Sequence, residues 1–374
     1  MARRGENIYR RKDGRWEGRY IKGRKPDGKP IFGSVYAHSY GEVKRRLLPM
    51  KAAYCNLSLE PRNTSHFREY LLAHLAQKRT SRIKASSYDS YYRIVHNHLL
   101  PRLGQYPMHQ VTPQHVEQFL ADLQETGLSD GSALNIFRFL AGVTRAAAKS
   151  GAMAKDICAE IVLPKPKRRK ICALSRTQQQ SLEKTALSAM EDSRCKYGLE
   201  IMLALHTGMR VGEICALRWE DVDFEGGVLH VRRTLQRLSP HDRDNQKNQK
   251  TIVVINSPKS ELSMRDIPMN TLLSRLLREA RPFSQGDYVV AGRKGYVEPR
   301  VLQYRFEKLL ARAQLPHMGF HALRHSFATR CTEFNVDFAT ISKLLGHSSV
   351  KLTADTYVDS HMEQRFSAVN KLAA

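Results

Sequence analysis

The chain has 374 residues with 61 Lys or Arg against 36 Asp or Glu, and this formal net charge of +25 favours a polyanionic partner, above all nucleic acid. A prior of about 150 residues per domain predicts two or three domains, and 41% hydrophobic residues exclude wholesale disorder. No apolar run approaches the roughly 18 residues of a membrane helix, and the first residues lack the apolar core of a signal peptide, which predicts a cytoplasmic protein with no membrane partner.

The first 60 residues combine the strongest positive charge with a sheet-like pattern. Residues 1–51 hold fifteen Lys or Arg and only five Asp or Glu. Strands separated by Asp-Gly turn signals are predicted at Ile8–Arg10, Trp16–Ile21 and Ile31–Tyr36. Ser39 and Glu42 form a capping-box pattern that begins a helix, which Pro49 is expected to kink or end. Residues 1–60 are therefore predicted to be a three-stranded sheet with a helix on one face and DNA on the other.

Residues 61–164 are predicted to form a bundle of four helices, because apolar residues recur there at helical spacing. Thr112 and Pro113 read as an N-cap followed by proline at the first helical position. Ser129 or Asp130 is expected to begin the fourth helix. These start signals make the helical bundle the natural interpretation of the second region.

Residues 165–174 are basic and contain proline, which predicts an extended linker. Its charges either follow a phosphate backbone or form a solvated tether, and the sequence favours neither. Residues 175–374 show a mixed, mostly helical pattern of a size suited to one core. In chain order, this region begins with predicted helices at Thr177–Met190 and Lys196–Thr207. Predicted strands follow at Gly227–Leu235 and Thr251–Ile255. The fold class is therefore multidomain α+β.

Several polar clusters lie in the last region. Arg210 stands between two glycines at a helix junction, where its guanidinium could bind phosphate oxygens in a forked geometry. His321 and Arg324 are three residues apart, on one face of a helix. His347 follows a Leu-Gly pair, and Tyr357 follows ten residues later. Each residue alone is better explained as structural, but their joint occurrence in this order favours a shared site.

The order and spacing of these clusters resemble the tyrosine recombinase (phage-type integrase) family. The resemblance implies a catalytic set at Arg210, Lys259, His321, Arg324, His347 and Tyr357. Lys247 and Lys250, which lie nearby in a polar insert, are the alternatives to Lys259. The resemblance further places Lys259 on the turn of a hairpin, with Met264–Pro268 as the returning strand.

The resemblance extends over the other regions and implies their roles. Residues 1–60 are similar to the arm-type DNA-binding domain of integrases from phages and conjugative transposons. Residues 61–164 are similar to the family's core-binding domain, a SAM-like four-helix bundle. Residues 175–374 then form the mixed α/β catalytic domain with a C-terminal tail, whose residues 361–374 are expected to dock either on a neighbouring subunit or on their own domain.

The residue types suit the chemistry that the resemblance implies. Arg210 and Arg324 can each present paired N–H donors to the non-bridging oxygens of a phosphodiester. Tyr357 would form a 3′-phosphotyrosine that keeps the bond energy for rejoining, and Lys259 would protonate the leaving 5′-oxygen. His321 and His347 would bind phosphate oxygens or help to deprotonate the tyrosine, and the sequence does not divide those roles.

No cofactor or metal is expected. The six cysteines include no C-x-x-C pair and read as reduced, mostly buried thiols. No acidic cluster resembles a two-metal nuclease site. A zinc site at His321, His325 and His347 is disfavoured, because the intervening Arg324 would place a positive charge beside the metal.

The resemblance also implies the partners: double-stranded DNA core sites and arm sites, a homo-tetramer assembled on DNA, and room for an excisionase or a host DNA-bending protein. The implied function is integration and excision of a mobile element. Two alternatives stay open. One is a type IB topoisomerase, against which the arm-like start argues. The other is a catalytically silent DNA-binding regulator, which would have no need of six such groups together.

Overall fold

The computed structural model describes residues 7–24, 30–58, 66–81, 83–162, 173–192, 197–240, 251–256, 263–284, 286–292, 295–347 and 349–357, without the side chains of 24, 52–58, 352 and 355–357. The chain divides into two compact units, Met1–Arg168 and Arg169–Ala374. The boundary falls in the predicted linker, of which 165–172 lie outside the described residues. No helix among the described residues is long and apolar enough to cross a membrane.

The first unit begins with an antiparallel three-stranded sheet in the order β1-β2-β3. Its strands are β1 (Ile8–Arg10), β2 (Trp16–Arg24) and β3 (Pro30–Ala37). Helix α1 (Tyr40–Ser58) packs on one face, where Val43 and Leu47 are buried. Gly18 permits this approach, because a Cβ there would lie 2.7 Å from Cγ1 of Val43. The predicted sheet with a helix on one face is confirmed.

The start of α1 also agrees with its sequence signal, whereas its end does not. The backbone N–H of Glu42 donates to Oγ of Ser39 at 3.3 Å, as the capping pattern predicts. Pro49 was expected to kink or end the helix; the end is wrong, because α1 continues through Pro49 to Ser58, while the kink stays a prediction. Pro49 is exposed, so water can satisfy the carbonyl that loses its helical partner.

The rest of the first unit is helical, and the helices share one hydrophobic core. They are α2 (Phe67–Thr80), α3 (Ala85–Ile94), α4 (Leu100–Arg102), α5 (Pro113–Glu125) and α6 (Asp130–Lys149). A π-helical turn at Val95–Leu99 joins α3 to α4 without a break. The two therefore form one continuous helix, and the bundle has the predicted four. Thr112 and Ser129 cap α5 and α6, as their sequence positions predict.

The second unit is mixed, with most of its core supplied by helices. Its helices are α7 (Arg176–Glu191), α8 (Leu199–Thr207), α9 (Val211–Ala216), α10 (Thr271–Ala280), α11 (Pro299–Arg312), α12 (His321–Glu333), α13 (Phe338–Leu345) and α14 (Val350–Tyr357). Its strands are β4 (Val222–Asp223), β5 (Val228–Val231), β6 (Thr234–Leu238), β7 (Ile252–Asn256) and β8 (Arg265–Pro268). The predicted α+β class is confirmed.

The strand predicted at Gly227–Leu235 is in fact two strands in two sheets. β5 belongs to the sheet β4-β5-β8, whereas β6 pairs with β7. The break falls at Arg232 and Arg233, whose side chains bind Asp266 and Asp221 at 2.6 and 2.8 Å. Met264–Pro268 was expected to return from β7, but β8 pairs with β5 instead. Sequence alternation shows that a stretch is extended, but not which strand is its partner.

Candidate active site

Arg210 lies at a tight junction between α8 and α9. Helix α8 ends at Thr207, and the next residue, Gly208, adopts the left-handed conformation with φ of +63°, a geometry that favours glycine. Arg210 then caps the start of α9. Gly212 lets α9 approach β6 closely, because a Cβ there would lie 2.7 Å from the carbonyl oxygen of Leu235. The two glycines therefore set the backbone on both sides of the arginine.

Arg324 is the largest side chain among the fully buried described residues, and it retains only 2% of its exposure. It projects from α12. Its Nη1 donates to the carbonyl oxygen of Gly208 at 2.8 Å, and its Nη2 donates to that of Leu345 at 2.7 Å. One guanidinium thus ties the end of α8 to the end of α13.

The half-buried guanidinium of Arg210 meets the same turn. Its Nη2 donates to the carbonyl oxygen of Gly346 at 3.1 Å, the residue directly after the carbonyl that Arg324 binds. Its Nη1 donates to Oε1 of Glu213 at 2.7 Å. The structure therefore brings Arg210 and Arg324 together on neighbouring peptide groups, although they are far apart in the sequence.

A buried ion pair behind Arg210 was missed as part of the site. Glu213, with 2% exposure, also accepts at 2.9 Å from Nη2 of Arg265, which is itself buried. Arg265 further donates to the carbonyl oxygens of Leu344 and Ser263 at 2.6 and 3.1 Å. Burial alone would raise the pKa of Glu213, but the charges of Arg265 and Arg210 outweigh it and hold that pKa below its usual range.

One signal could have identified Arg265. In β8 the inward positions alternate, and Arg265 occupies one while Ile267 occupies the next. An arginine on the buried face of a strand requires a buried anionic or carbonyl partner.

Both predicted histidines lie within the electrostatic reach of the arginines. Burial, followed by the charge of Arg324, lowers the pKa of His347 to about 4. Nδ1 of His347 lies 2.8 Å from Oγ1 of the fully buried Thr353, a contact that orients the ring. His321 is exposed, yet partial desolvation, the neighbouring His325 and then Arg324 lower its pKa to about 4 as well. Both imidazoles are therefore neutral near pH 7.

The two remaining predicted residues cannot be placed against these groups. Lys259 and its alternatives Lys247 and Lys250 lie outside the described residues. For Tyr357 the backbone is described as the last residue of α14, but its side chain is not. Helix α14 packs on α12 and α13, which carry Arg324 and the carbonyl of Leu345.

The described residues include no group of three or more His, Cys, Asp or Glu side chains that could hold a metal ion. His321 and His325 do lie side by side, with ring centroids 4.7 Å apart. The side chains of three of the six cysteines are described, all three as free thiols, with Cys158 and Cys215 buried and Cys331 partly exposed.

The glycine at the junction gives a direct test of this geometry. We expect Gly208→Ala to lower the free energy of unfolding of the second unit by about 2–4 kcal/mol, because the backbone is left-handed and the new Cβ would lie 2.5 Å from Phe327. Gly227→Ala is the matched control, since Gly227 has a similar φ of +67° but nothing within 4 Å of an added Cβ. Urea unfolding of both variants compares them. Equal losses would mean that close packing at Gly208 is unimportant.

Comparison with known proteins agrees with this arrangement. Residues 170–364 match the description "Phage integrase family", and residues 66–124 match "Phage integrase, N-terminal SAM-like domain". The chain is 31% identical over 275 residues to a protein of Caldanaerobacter subterraneus subsp. tengcongensis named "Tyrosine recombinase XerC-like", with 69% of each chain covered.

Two solved structures share the fold. One is the Tn1549 transposon integrase in complex with a circular intermediate DNA, with a TM-score of 0.69, 20% identity, and coverage of 82% of this chain and 99% of that chain. The other is a lambda integrase tetramer bound to a Holliday junction, with a TM-score of 0.59, 18% identity, and coverage of 92% and 96%. Since the first family description spans more than half of the sequence, the chain belongs to the phage integrase family, the DNA strand-exchanging tyrosine recombinases predicted from its motifs.

Proposed function

We propose that this tyrosine recombinase is an integrase, which cuts and rejoins DNA through a 3′-phosphotyrosine intermediate and thereby integrates and excises a mobile element. The observation that carries the proposal is the convergence of Arg210 and Arg324 on the adjacent carbonyl groups of Gly346 and Leu345. Two preorganised guanidinium groups at one turn suit a phosphodiester, whose oxygens gain negative charge as the bond to the leaving group breaks.

The arginines supply positioning and charge stabilisation. Each arginine binds the protein through both of its terminal nitrogens, so the plane of each guanidinium is fixed before a phosphate arrives. Glu213 and Arg265 act as positioning residues, because they hold Arg210 from behind. A cation fixed in this way costs little reorganisation when the scissile phosphate arrives.

The covalent step is assigned to Tyr357. Its phenolic oxygen attacks the scissile phosphorus, a 3′-phosphotyrosine bond forms, and the bond to the 5′-oxygen breaks. Lys259 donates the proton that the leaving 5′-oxygen requires. The 5′-hydroxyl of another strand then reverses the step, so that one phosphodiester is exchanged for another and no external energy source is needed.

His321 and His347 enter the reaction as neutral rings. A neutral imidazole can donate one hydrogen bond to a phosphate oxygen or accept a proton from the tyrosine. For His347, Thr353 occupies Nδ1, so Nε2 is the atom available for substrate. A pKa near 4 leaves each ring with one N–H to donate at neutral pH and makes it a weak base toward a phenol, so these values favour the hydrogen bond to phosphate over the removal of the tyrosine proton.

The domain roles follow from the same proposal. Residues 1–60 would bind arm sites, 61–164 the core site, 165–174 would be the basic linker, and 175–374 the catalytic domain with its tail. The SAM-like match at residues 66–124 supports the second assignment. An alignment to lambda integrase that covers 92% of this chain extends into the residues before 66, which supports the first.

The proposal also includes the assembly. Strand exchange joins two duplexes, and lambda integrase forms a tetramer on a Holliday junction; we infer a homo-tetramer on DNA here as well. An excisionase or host DNA-bending protein would control direction. The tail, including residues 361–374, lies outside the described residues. Such an enzyme would work in the bacterial cytoplasm, where its DNA substrate is.

Two assays test the proposal against its alternatives. The full chain, incubated with nicked suicide duplexes that carry the end sequences of its host element, is expected to form an adduct that survives denaturing electrophoresis. A silent regulator would bind these duplexes without any adduct. In a two-plasmid assay, the integrase is expected to join the sites. Relaxation of supercoils without joining would instead indicate the topoisomerase-like alternative.

A further inference from the structure

The face of the N-terminal sheet opposite α1 carries an ordered set of side chains. The strand register places Tyr9, Glu17 and Tyr36 side by side across the three strands. Arg19 lies in the next row of this face, opposite Ser34. Apolar side chains continue the face, with Phe32 55% exposed. Two tyrosines and an arginine therefore share a face that no described helix covers.

Glu17 is an unusual residue for this surface. It is only 4% exposed, although it lies on the solvent face of a three-stranded sheet. Its carboxylate accepts from Nε of Arg19 at 2.9 Å, from Oγ of Ser34 at 2.8 Å and from Nη1 of Arg11 at 3.0 Å. The bond from Arg19 is the largest of the effects that hold the pKa of Glu17 below its usual range. Glu17 is thus a charged carboxylate buried beneath arginines.

The arginines above Glu17 are also held by the tyrosines. The guanidinium of Arg19 lies over the ring of Tyr9, 5.4 Å from its centroid, and that of Arg11 lies at the same distance over Tyr36. Stacking and a hydrogen bond together fix the plane of each group. Arg11 is shared between Glu17 and Asp13.

Arg19 differs from Arg11 in the donors that it leaves available. Its only hydrogen bond to another described side chain is the one from Nε, so its two terminal nitrogens have no partner among the described residues. The two terminal nitrogens of an arginine are the donors that bind O6 and N7 of one guanine at the same time. A surface that bound only phosphates would gain nothing from a buried carboxylate, which repels them.

We propose that Arg19, held by Glu17 and Tyr9, reads a guanine in the major groove of the DNA bound by residues 1–60. This inference rests on the proposed role of that region in binding DNA. A small β-sheet fits the major groove, and Arg19 projects from its central strand. Glu17 is a positioning residue, and Arg19 determines specificity.

The test is selection of bound sequences from a random duplex library by the full chain. The double variant Arg15→Glu, Phe32→Glu changes exposed residues of the same face and is expected to abolish one enriched motif, which identifies the arm motif. In that motif, Arg19→Lys is expected to reduce the preference for one guanine about tenfold. Affinity for a scrambled duplex should stay unchanged, because the charge is kept.

Glu17→Gln provides a second readout that a merely structural role would not produce. It should weaken the same guanine preference, while affinity for the scrambled duplex stays equal or rises, because a negative charge is lost. Arg45→Lys, on the exposed surface of α1, is the matched control and should leave every motif unchanged.

Two other results would contradict either the reading of a guanine by Arg19 or the binding of DNA by residues 1–60. If Arg19→Lys and Glu17→Gln leave the arm motif intact, or weaken binding to all sequences equally, Arg19 does not read a base. If the double variant Arg15→Glu, Phe32→Glu retains every motif, the sheet face does not bind DNA and the proposed role of residues 1–60 fails.

Discussion

The Tyr357→Phe protein is expected to bind its core duplex with wild-type affinity and to form no covalent adduct. Phenylalanine keeps the ring but lacks the oxygen that attacks phosphorus, so the cleavage rate should fall by several orders of magnitude. Gel shift measures binding, and denaturing electrophoresis of a labelled suicide duplex measures the adduct. The prediction depends on the family motif, because the described part of Tyr357 is its backbone at the end of α14.

Tyr304→Phe is the matched control for that experiment. Tyr304 lies on α11 and is 55% exposed. The control therefore makes the same chemical change, the loss of a tyrosine hydroxyl group, at an exposed position. We expect adduct formation at the wild-type rate. An adduct in Tyr357→Phe would show that another side chain is the nucleophile.

The Arg324→Lys protein is expected to cleave its suicide duplex about 10²–10³-fold more slowly than the wild type, with little change in duplex affinity. An ammonium group keeps the charge but cannot span the carbonyl groups of Gly208 and Leu345 while also binding a phosphate oxygen in forked geometry. Loss of a charged hydrogen bond at a buried site should also lower the free energy of unfolding by about 1.5–3 kcal/mol. Single-turnover cleavage and urea unfolding measure the two effects.

Arg330→Lys is the matched control, because it distinguishes an effect on the active site from an effect on the stability of helix α12. Arg330 lies on α12 as well, and its Nη2 donates to the carbonyl oxygen of Leu174 at 3.3 Å. It also pairs with Glu333 at 2.8 Å. This variant should lose some stability and retain its cleavage rate. If Arg324→Lys cleaved as fast as Arg330→Lys, the proposed role of Arg324 in the reaction would be untenable.

Local signals explain which parts of the fold were predictable. Thr112 and Ser129 cap helices through bonds to residues three positions away, so a short window of sequence contains the whole interaction. The three N-terminal strands were also recognisable, because alternation and turn residues are local. Strand partners in the second unit were not, since β5 and β8 meet across more than thirty intervening residues.

The candidate site was also predictable only in part. Arg210, His321, Arg324 and His347 were named from motifs; the structure places both arginines on one turn, with the two histidines close enough for the arginine charges to lower their pKa values. The partnership of Glu213 with Arg265 was not foreseen, because it joins α9 to β8 through a buried contact. The backbone carbonyl groups that bind the two arginines could not be predicted either. Every residue has a carbonyl group, and only the fold determines which of them face a guanidinium.

The use of carbonyl acceptors has a consequence for how this protein can change over generations. Substitution can delete a side chain, but no substitution deletes a peptide oxygen. The anchors of Arg324, on Gly208 and Leu345, therefore persist through any exchange of residue type that leaves the main chain in place. A substitution elsewhere can weaken these two hydrogen bonds of Arg324 only by moving the backbone. Gly208 and Gly346, which both adopt the left-handed conformation, are therefore the positions where a substitution would disturb them most.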